Sequence, residues 1–113
     1  MKIYLAGGMR SGWQDRLSEF DVIDPRTHGL SDPEEYTAWD MAGVRECDIV
    51  FAYLEKSNPS GLGMAFEIGY ALGLGKRVIF VNEKKDKYAK ILECACINFD
   101  TLEEGIKYLE TYC

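Results

Sequence analysis

Short apolar runs that alternate with longer helical stretches constrain this chain more than any other feature. Lys2–Ala6 (KIYLA), Asp21–Pro25 (DVIDP), Asp48–Leu54 (DIVFAYL), Arg77–Asn82 (RVIFVN) and Cys96–Phe99 (CINF) read as strands. The first stops at Gly7-Gly8, the second at a proline and the third at the turn residues SNPSG. Continuous apolar runs closed by turn residues belong to strands buried on both faces. Helical stretches fall between them: Trp13–Phe20, Pro33–Cys47, Ser60–Lys76 and KDKYAKILECA, with TLEEGIKYLETYC closing the chain. Asp32 is placed as an N-cap with Pro33 at the first helical position, and Thr101 with Glu104 spells a capping box. Strand and helix in alternation predict an α/β protein, a five-stranded parallel sheet with helices on both faces. A length of 113 residues makes this one domain, 1–113. Ligands of such sheets bind beyond the carboxyl ends of the strands, where strand order reverses. The loops after Ala6, Pro25, Leu54 and Asn82 are therefore the ones to watch.

Composition narrows the partners. With 47% hydrophobic and 28% charged residues the chain reads as a soluble globular protein. A net charge of −6 repels nucleic-acid backbones and anionic membranes, so a small molecule is the expected partner. An anionic ligand would need a local positive site. No apolar run is long enough to span a bilayer, and the apolar start IYLAGG is too short for a signal peptide. Cysteines at 47, 94, 96 and 113 form no C-x-x-C pair, and a single histidine, His28, leaves no zinc set. The expectation is a cytoplasmic protein with free thiols, no metal and no cofactor.

Two carboxylates stand in the wrong places. In SGLGMAFEIGYALGLGK the one charge between Gly61 and Gly75 is Glu67, and at 100° per residue it shares a face with Gly63, Met64, Tyr70 and Ala71. Either it reaches solvent at the helix edge or it is held among apolar groups for chemistry, because a buried unpartnered carboxylate is expensive. Asp40 repeats the pattern one helix earlier, with Tyr36, Gly43, Val44 and Cys47 on its face and Glu34, Glu35, Arg45 and Glu46 opposite. Its alternative is a bond to a nearby loop amide. Tyr4, in the first strand, is either plain core or a hydroxyl that needs a partner at the sheet's end. Two acids in a partly dry pocket suit glycosidic bond cleavage, one attacking the anomeric carbon and the other protonating the leaving group. As metal ligands the pair would be weak.

KIYLAGGM, WDMAGVRECDIVFAYL and GLGMAFEIGYALGLGKRVI, in this order over residues 2–81, resemble the nucleoside 2-deoxyribosyltransferase family. The resemblance implies a flavodoxin-like doubly wound fold and sites shared between subunits, most simply in a homodimer. It implies that Glu67 is the nucleophile of a covalent deoxyribosyl intermediate, that Tyr4 orients it, and that Asp40 handles the proton of the base. The position six before Glu67, an aspartate in many members, is Gly61 here, with Asn58 and Ser60 close by. GGMRSGW resembles a related branch, the deoxynucleoside 5′-monophosphate N-glycosidases, in which an arginine and small hydroxyl residues hold a phosphate. Gly7, Gly8, Met9 and Arg10, with Asn58, Ser60, Gly61 and Gly63, are thus the expected substrate-binding residues. A helix N-terminus beside an arginine is suited to an anion. Arg26 and His28 are expected on the surface, His28 as an exposed loop residue. The sequence predicts transfer of 2-deoxyribose from a deoxynucleoside to an acceptor base. The alternatives are hydrolysis of a deoxynucleoside 5′-monophosphate and binding of a nucleotide or ADP-ribose without turnover.

Overall fold

Strands form where the apolar runs stand, and their pairing places them in a different order from that of the chain. The computed structural model describes residues 1–113. Strands β1 (Ile3–Gly7), β2 (Val22–Ile23), β3 (Ile49–Leu54), β4 (Arg77–Asn82) and β5 (Ile97–Phe99) form one sheet in the order β2-β1-β3-β4-β5. Every pairing is parallel. This is the flavodoxin-like order, with its reversal between β1 and β3. Those two strands pair from Ile3↔Ile49 to Gly7↔Tyr53, so their carboxyl ends open side by side.

Alternate residues of each central strand feed two cores. One face buries Tyr4, Ala6, Val50, Ala52, Val78 and Phe80 beneath helices α1 (Pro33–Glu46), α2 (Leu62–Gly73) and α3 (Lys90–Ala95). The other buries Ile3, Leu5, Ile49, Phe51, Ile79 and Val81 beneath Trp13, Leu17 and helix α4 (Leu102–Glu110). Each large side chain so buried contributes roughly 1.5–3 kcal/mol, which is why the strand sequences are apolar without a break. No helix is long and apolar enough to cross a membrane.

The caps stand where the sequence puts them. The Asp32 side chain accepts from the Glu35 N–H at 3.3 Å, and Thr101 and Glu104 cap each other reciprocally. Three elements are shorter than expected. Trp13–Leu17 forms a 3-10 turn rather than an α-helix, because Trp13 Nε1 and Gln14 Nε2 both donate to the Gly8 carbonyl (2.7 and 3.0 Å) and hold the segment against the first loop. β2 keeps two residues, since Pro25 has no N–H for a ladder and Asp24 instead caps a 3-10 turn over Pro25–Thr27. The stretch KDKYAKILECA splits at Ala89: Asp86 accepts from the Tyr88 N–H at 2.8 Å and starts a 3-10 turn, Lys87–Ala89, ahead of α3.

Two glycines set the approach of elements around the site. Gly7 has φ 146°, and a Cβ there would lie 2.5 Å from the Tyr53 carbonyl oxygen. Gly43 on α1 leaves room for the Tyr4 ring, whose edge would be 2.9 Å from a Cβ at that position. Without a side chain at 43, α1 settles directly on β1, with Asp40 one turn away.

Candidate active site

Glu67 lies in the second turn of α2 and is buried, only 8% exposed. Its partner is Tyr4, wholly buried in β1, whose hydroxyl donates to Glu67 Oε2 at 2.5 Å. The solvent-edge alternative for Glu67 is thereby removed, and the Tyr4 hydroxyl has the partner that burial demands. Burial pushes the Glu67 carboxyl up to about 7; the Tyr4 hydrogen bond opposes the rise and nearby Asp40 adds to it. Burial, followed by the charge and hydrogen bond of Glu67, pushes the Tyr4 phenol far above its ordinary value. Tyr4 is therefore a fixed donor that keeps its proton, and Glu67 is a carboxylate that changes charge near neutrality.

Asp40 projects from the middle of α1 with 20% of its side chain exposed. Its Oδ1 is buried and accepts no hydrogen bond, so the loop-amide bond considered for it does not form. Burial raises its pKa, against the pull of His28 and Tyr4. His28 itself corrects an expectation. Its side chain is 6% exposed, and its Nε2 stands 3.9 Å from Asp40 Oδ1. Nothing in the local sequence DPRTHGL announces this burial, which comes from Tyr36 and Trp39 of α1 packing on the ring.

The glycine-rich loop meets the loop after β3 in a cavity of about 260 Å³ lined by Gly8, Met9, Arg10, Glu55, Ser57, Asn58 and Pro59. Arg10 is exposed there and forms no ion pair. Asn58 and Ser60 spend their side chains on the loop itself: Asn58 Oδ1 accepts from the Ser60 N–H at 3.1 Å, and Ser60 Oγ from the Leu62 N–H at 3.2 Å. They shape the entry to α2, where Gly61 takes a left-handed φ of 73° and Gly63 faces open space. Glu55 is the residue the sequence reading passed over. It is 9% exposed, and its Oε2 accepts from Ser11 Oγ at 2.6 Å, tying the first loop to the end of β3. The available signal was a charge directly after a fully apolar strand at the reversal point. Arg26 is committed elsewhere, to Asp24 at 2.7 Å and Asp15 at 2.9 Å.

The structure thus brings Tyr4, Glu67, Asp40 and His28 together on the α1–α2 face, with the Gly8–Arg10 loop and the Asn58–Gly61 loop at the carboxyl ends of β1 and β3. A hollow of about 450 Å³ lined by Met1, Glu19, Phe20, Asp21, Glu110 and Cys113 is larger, but it sits at the amino ends of the strands and holds none of these groups.

Comparison with known proteins gives the fold its relatives. No curated protein matches the sequence significantly. Among solved structures, a 2-deoxyribosyltransferase from Bacillus psychrosaccharolyticus superposes with a TM-score of 0.70 at 21% identity, over 92% of this chain and 89% of that one. A CMP N-glycosidase from Clostridium botulinum gives 0.67 at 20% identity, over 99% and 100%. A 2-deoxyribosyltransferase from Leishmania mexicana gives 0.65 at 19%, over 95% of each chain. At these identities the superpositions establish the fold. The sequence model of the nucleoside 2-deoxyribosyltransferases matches residues 10–108, a span that contains both Asp40 and Glu67. The chain belongs to the nucleoside 2-deoxyribosyltransferase family.

Proposed function

We propose that the protein moves 2-deoxyribose from a deoxynucleoside to an acceptor base, with retention of configuration, through a covalent intermediate on Glu67. The observation that carries this reading is the buried Glu67 with the Tyr4 hydroxyl on one of its oxygens. Tyr4 occupies Oε2 and orients the carboxylate, so Oε1 is the oxygen that attacks C1′. As the new C–O bond forms, the N-glycosidic bond breaks, its electron pair stays with the base, and Asp40 gives the base a proton. An acceptor base then attacks C1′ of the glycosyl ester, gives a proton to Asp40 and releases the Glu67 carboxylate. Two displacements at one carbon return the starting configuration. Gly7, Gly8, Met9, Arg10, Asn58, Ser60, Gly61 and Gly63 are assigned to the sugar and its 5′ substituent, because their segments follow the carboxyl ends of β1 and β3 and lead into α2. The decisive experiment is mass spectrometry after reaction with a slow 2-fluoro-arabino nucleoside. The adduct is expected on the peptide that holds Glu67, and an adduct elsewhere refutes the mechanism.

One observation favours a second reading, hydrolysis of a deoxynucleoside 5′-monophosphate with water as acceptor. Arg10 is an unpaired guanidinium in the cavity beside the glycine loop, as a phosphate contact requires. Glu55 puts a carboxylate into the same cavity and opposes it. Incubation of a deoxynucleoside 5′-monophosphate without acceptor base separates the two, since sugar phosphate with free base appears only for a hydrolase.

We also infer a homodimer built on the outward face of α2. Leu62 and Phe66 are 77% and 60% exposed there, one turn apart, and Gly69 and Gly73 continue the strip with open space above them. Exposed apolar side chains in a row mark an interaction surface.

A further inference from the structure

His28 is the only histidine of the chain, and the loop after Pro25–Thr27 carries it inward onto α1. Three contacts fix its ring. Tyr36 stacks on it at 6.3 Å between centroids with the planes 8° apart, Trp39 meets it edge-on at 5.1 Å, and the Leu30 N–H donates to Nδ1 at 2.8 Å. A ring nitrogen that accepts carries no proton, so in the neutral ring the proton sits on Nε2. That nitrogen makes no hydrogen bond in the structure and faces Asp40 Oδ1 at 3.9 Å. Oδ1 in turn is a buried oxygen with no donor. An unused donor and an unsatisfied acceptor thus confront each other across a gap about 1 Å too long for a hydrogen bond.

We infer that His28 is a positioning residue for Asp40: its Nε2–H closes onto Oδ1 once Asp40 has given its proton to the departing base, and holds the carboxylate in place until a proton returns. This rests on the reading of Asp40 as the proton donor. The balance is simple. One proton passes from Asp40 to the base and later comes back from the acceptor, while His28 contributes a hydrogen bond and transfers nothing. Burial disfavours the charged form of Asp40, and an N–H donated to its buried Oδ1 offsets that cost, so the contact stabilises the state that forms as the base leaves. Its benefit is largest where the leaving base most needs a proton.

Two variants separate this role from packing. His28→Phe keeps a ring between Tyr36 and Trp39 but removes the donor, whereas His28→Gln sacrifices the ring and places an N–H near Nε2. His28→Phe is expected to lower kcat by roughly tenfold or more for nucleosides with a poorly departing base, with KM little changed and with little effect for a base that leaves without protonation. His28→Gln is expected to recover much of the loss. If His28→Phe is as active as the parent and His28→Gln is the impaired one, the ring is structural and the inference is overturned. A nitrogen NMR spectrum of the His28 ring tests the contact independently of turnover. The expected result is a proton on Nε2 and a ring signal that moves on Asp40→Asn. A proton on Nδ1, or a ring indifferent to Asp40→Asn, sinks the inference even in an active enzyme. If no nucleoside or nucleotide is turned over while the NMR result holds, the functional reading of the site fails and the His28–Asp40 contact stands.

Discussion

Helices α2 and α4 pack on opposite faces of the same sheet and follow the rules of an amphipathic helix to different degrees. α4 is ordinary: Leu102, Gly105 and Leu109 face the core, Glu103, Glu104, Lys107 and Glu110 lie outside it, and a full capping box closes its start. α2 is inverted. Its carboxylate points inward, Leu62 and Phe66 point outward, and its N-cap is a left-handed glycine with no side-chain hydrogen bond. The difference sets a helix built for stability against one that carries the proposed chemistry. A segment that breaks several local rules together, while its neighbours keep them, carries constraints from something other than folding. In α2 the buried acid accounts for one violation, and the proposed dimer surface would account for another.

The comparison breaks most sharply at Glu67. Replacing it with alanine is expected to reduce turnover by roughly a thousandfold or more, because no other acid lies on that helix to take over the attack. Glu67→Gln, which preserves shape, isolates the energetics. Burial pushes the Glu67 carboxyl up to about 7 in the folded protein, against 4.5 for an unperturbed glutamate. Between these values the folded state holds more protons than the unfolded one, so stability falls as pH rises through the window and stays lower above it. Glu67→Gln should therefore gain on the parent by up to about 3 kcal/mol at pH 8, and the gain should vanish near pH 4.5. Denaturant melts of both proteins at the two pH values measure it. A variant less stable than its parent at pH 8 would make Glu67 a structural residue.

Much of this contrast is legible in the sequence, and the reason differs by element. β1, β3 and β4 can be read because they are buried on both faces, which leaves a local signature in consecutive residues. Asp32 and Thr101 can be read because a cap bonds three residues along the chain. Asp40 and Glu67 stand out because helical periodicity places them among apolar neighbours. What is missed depends on contacts across the fold. The Trp13–Leu17 turn is set by bonds to Gly8, Glu55 by Ser11 forty-four residues away, and His28 by rings that reach it only after α1 has docked. None of these leaves a period or a motif behind.

The outer face of α2 gives the next test. If Leu62 and Phe66 meet a second copy, Phe66→Glu places a charge in an apolar contact and should shift the protein from dimer to monomer by light scattering. Activity should fall with the dimer if the site is shared, and persist if it is complete in one chain. A parent protein that is monomeric at working concentration, and fully active, would leave the exposed strip on α2 without this explanation.

The smallest expected effect belongs to the ordinary helix. Thr101→Ala removes the hydroxyl that accepts from the Glu104 N–H at 3.2 Å, and with it the partner of the Glu104 carboxylate at 3.0 Å. The Glu104 bond back to the Thr101 N–H remains, so only part of the box is lost. Such cap substitutions cost about 1 kcal/mol. The cost should appear in the melt and nowhere in the kinetics, since α4 lies against Val81 and Phe51 on the far side of the sheet from Tyr4 and Glu67. A drop in kcat larger than the unfolded fraction explains would mean that the two faces are coupled through β3 and β4. In that case the division of labour between the helices would be a matter of degree.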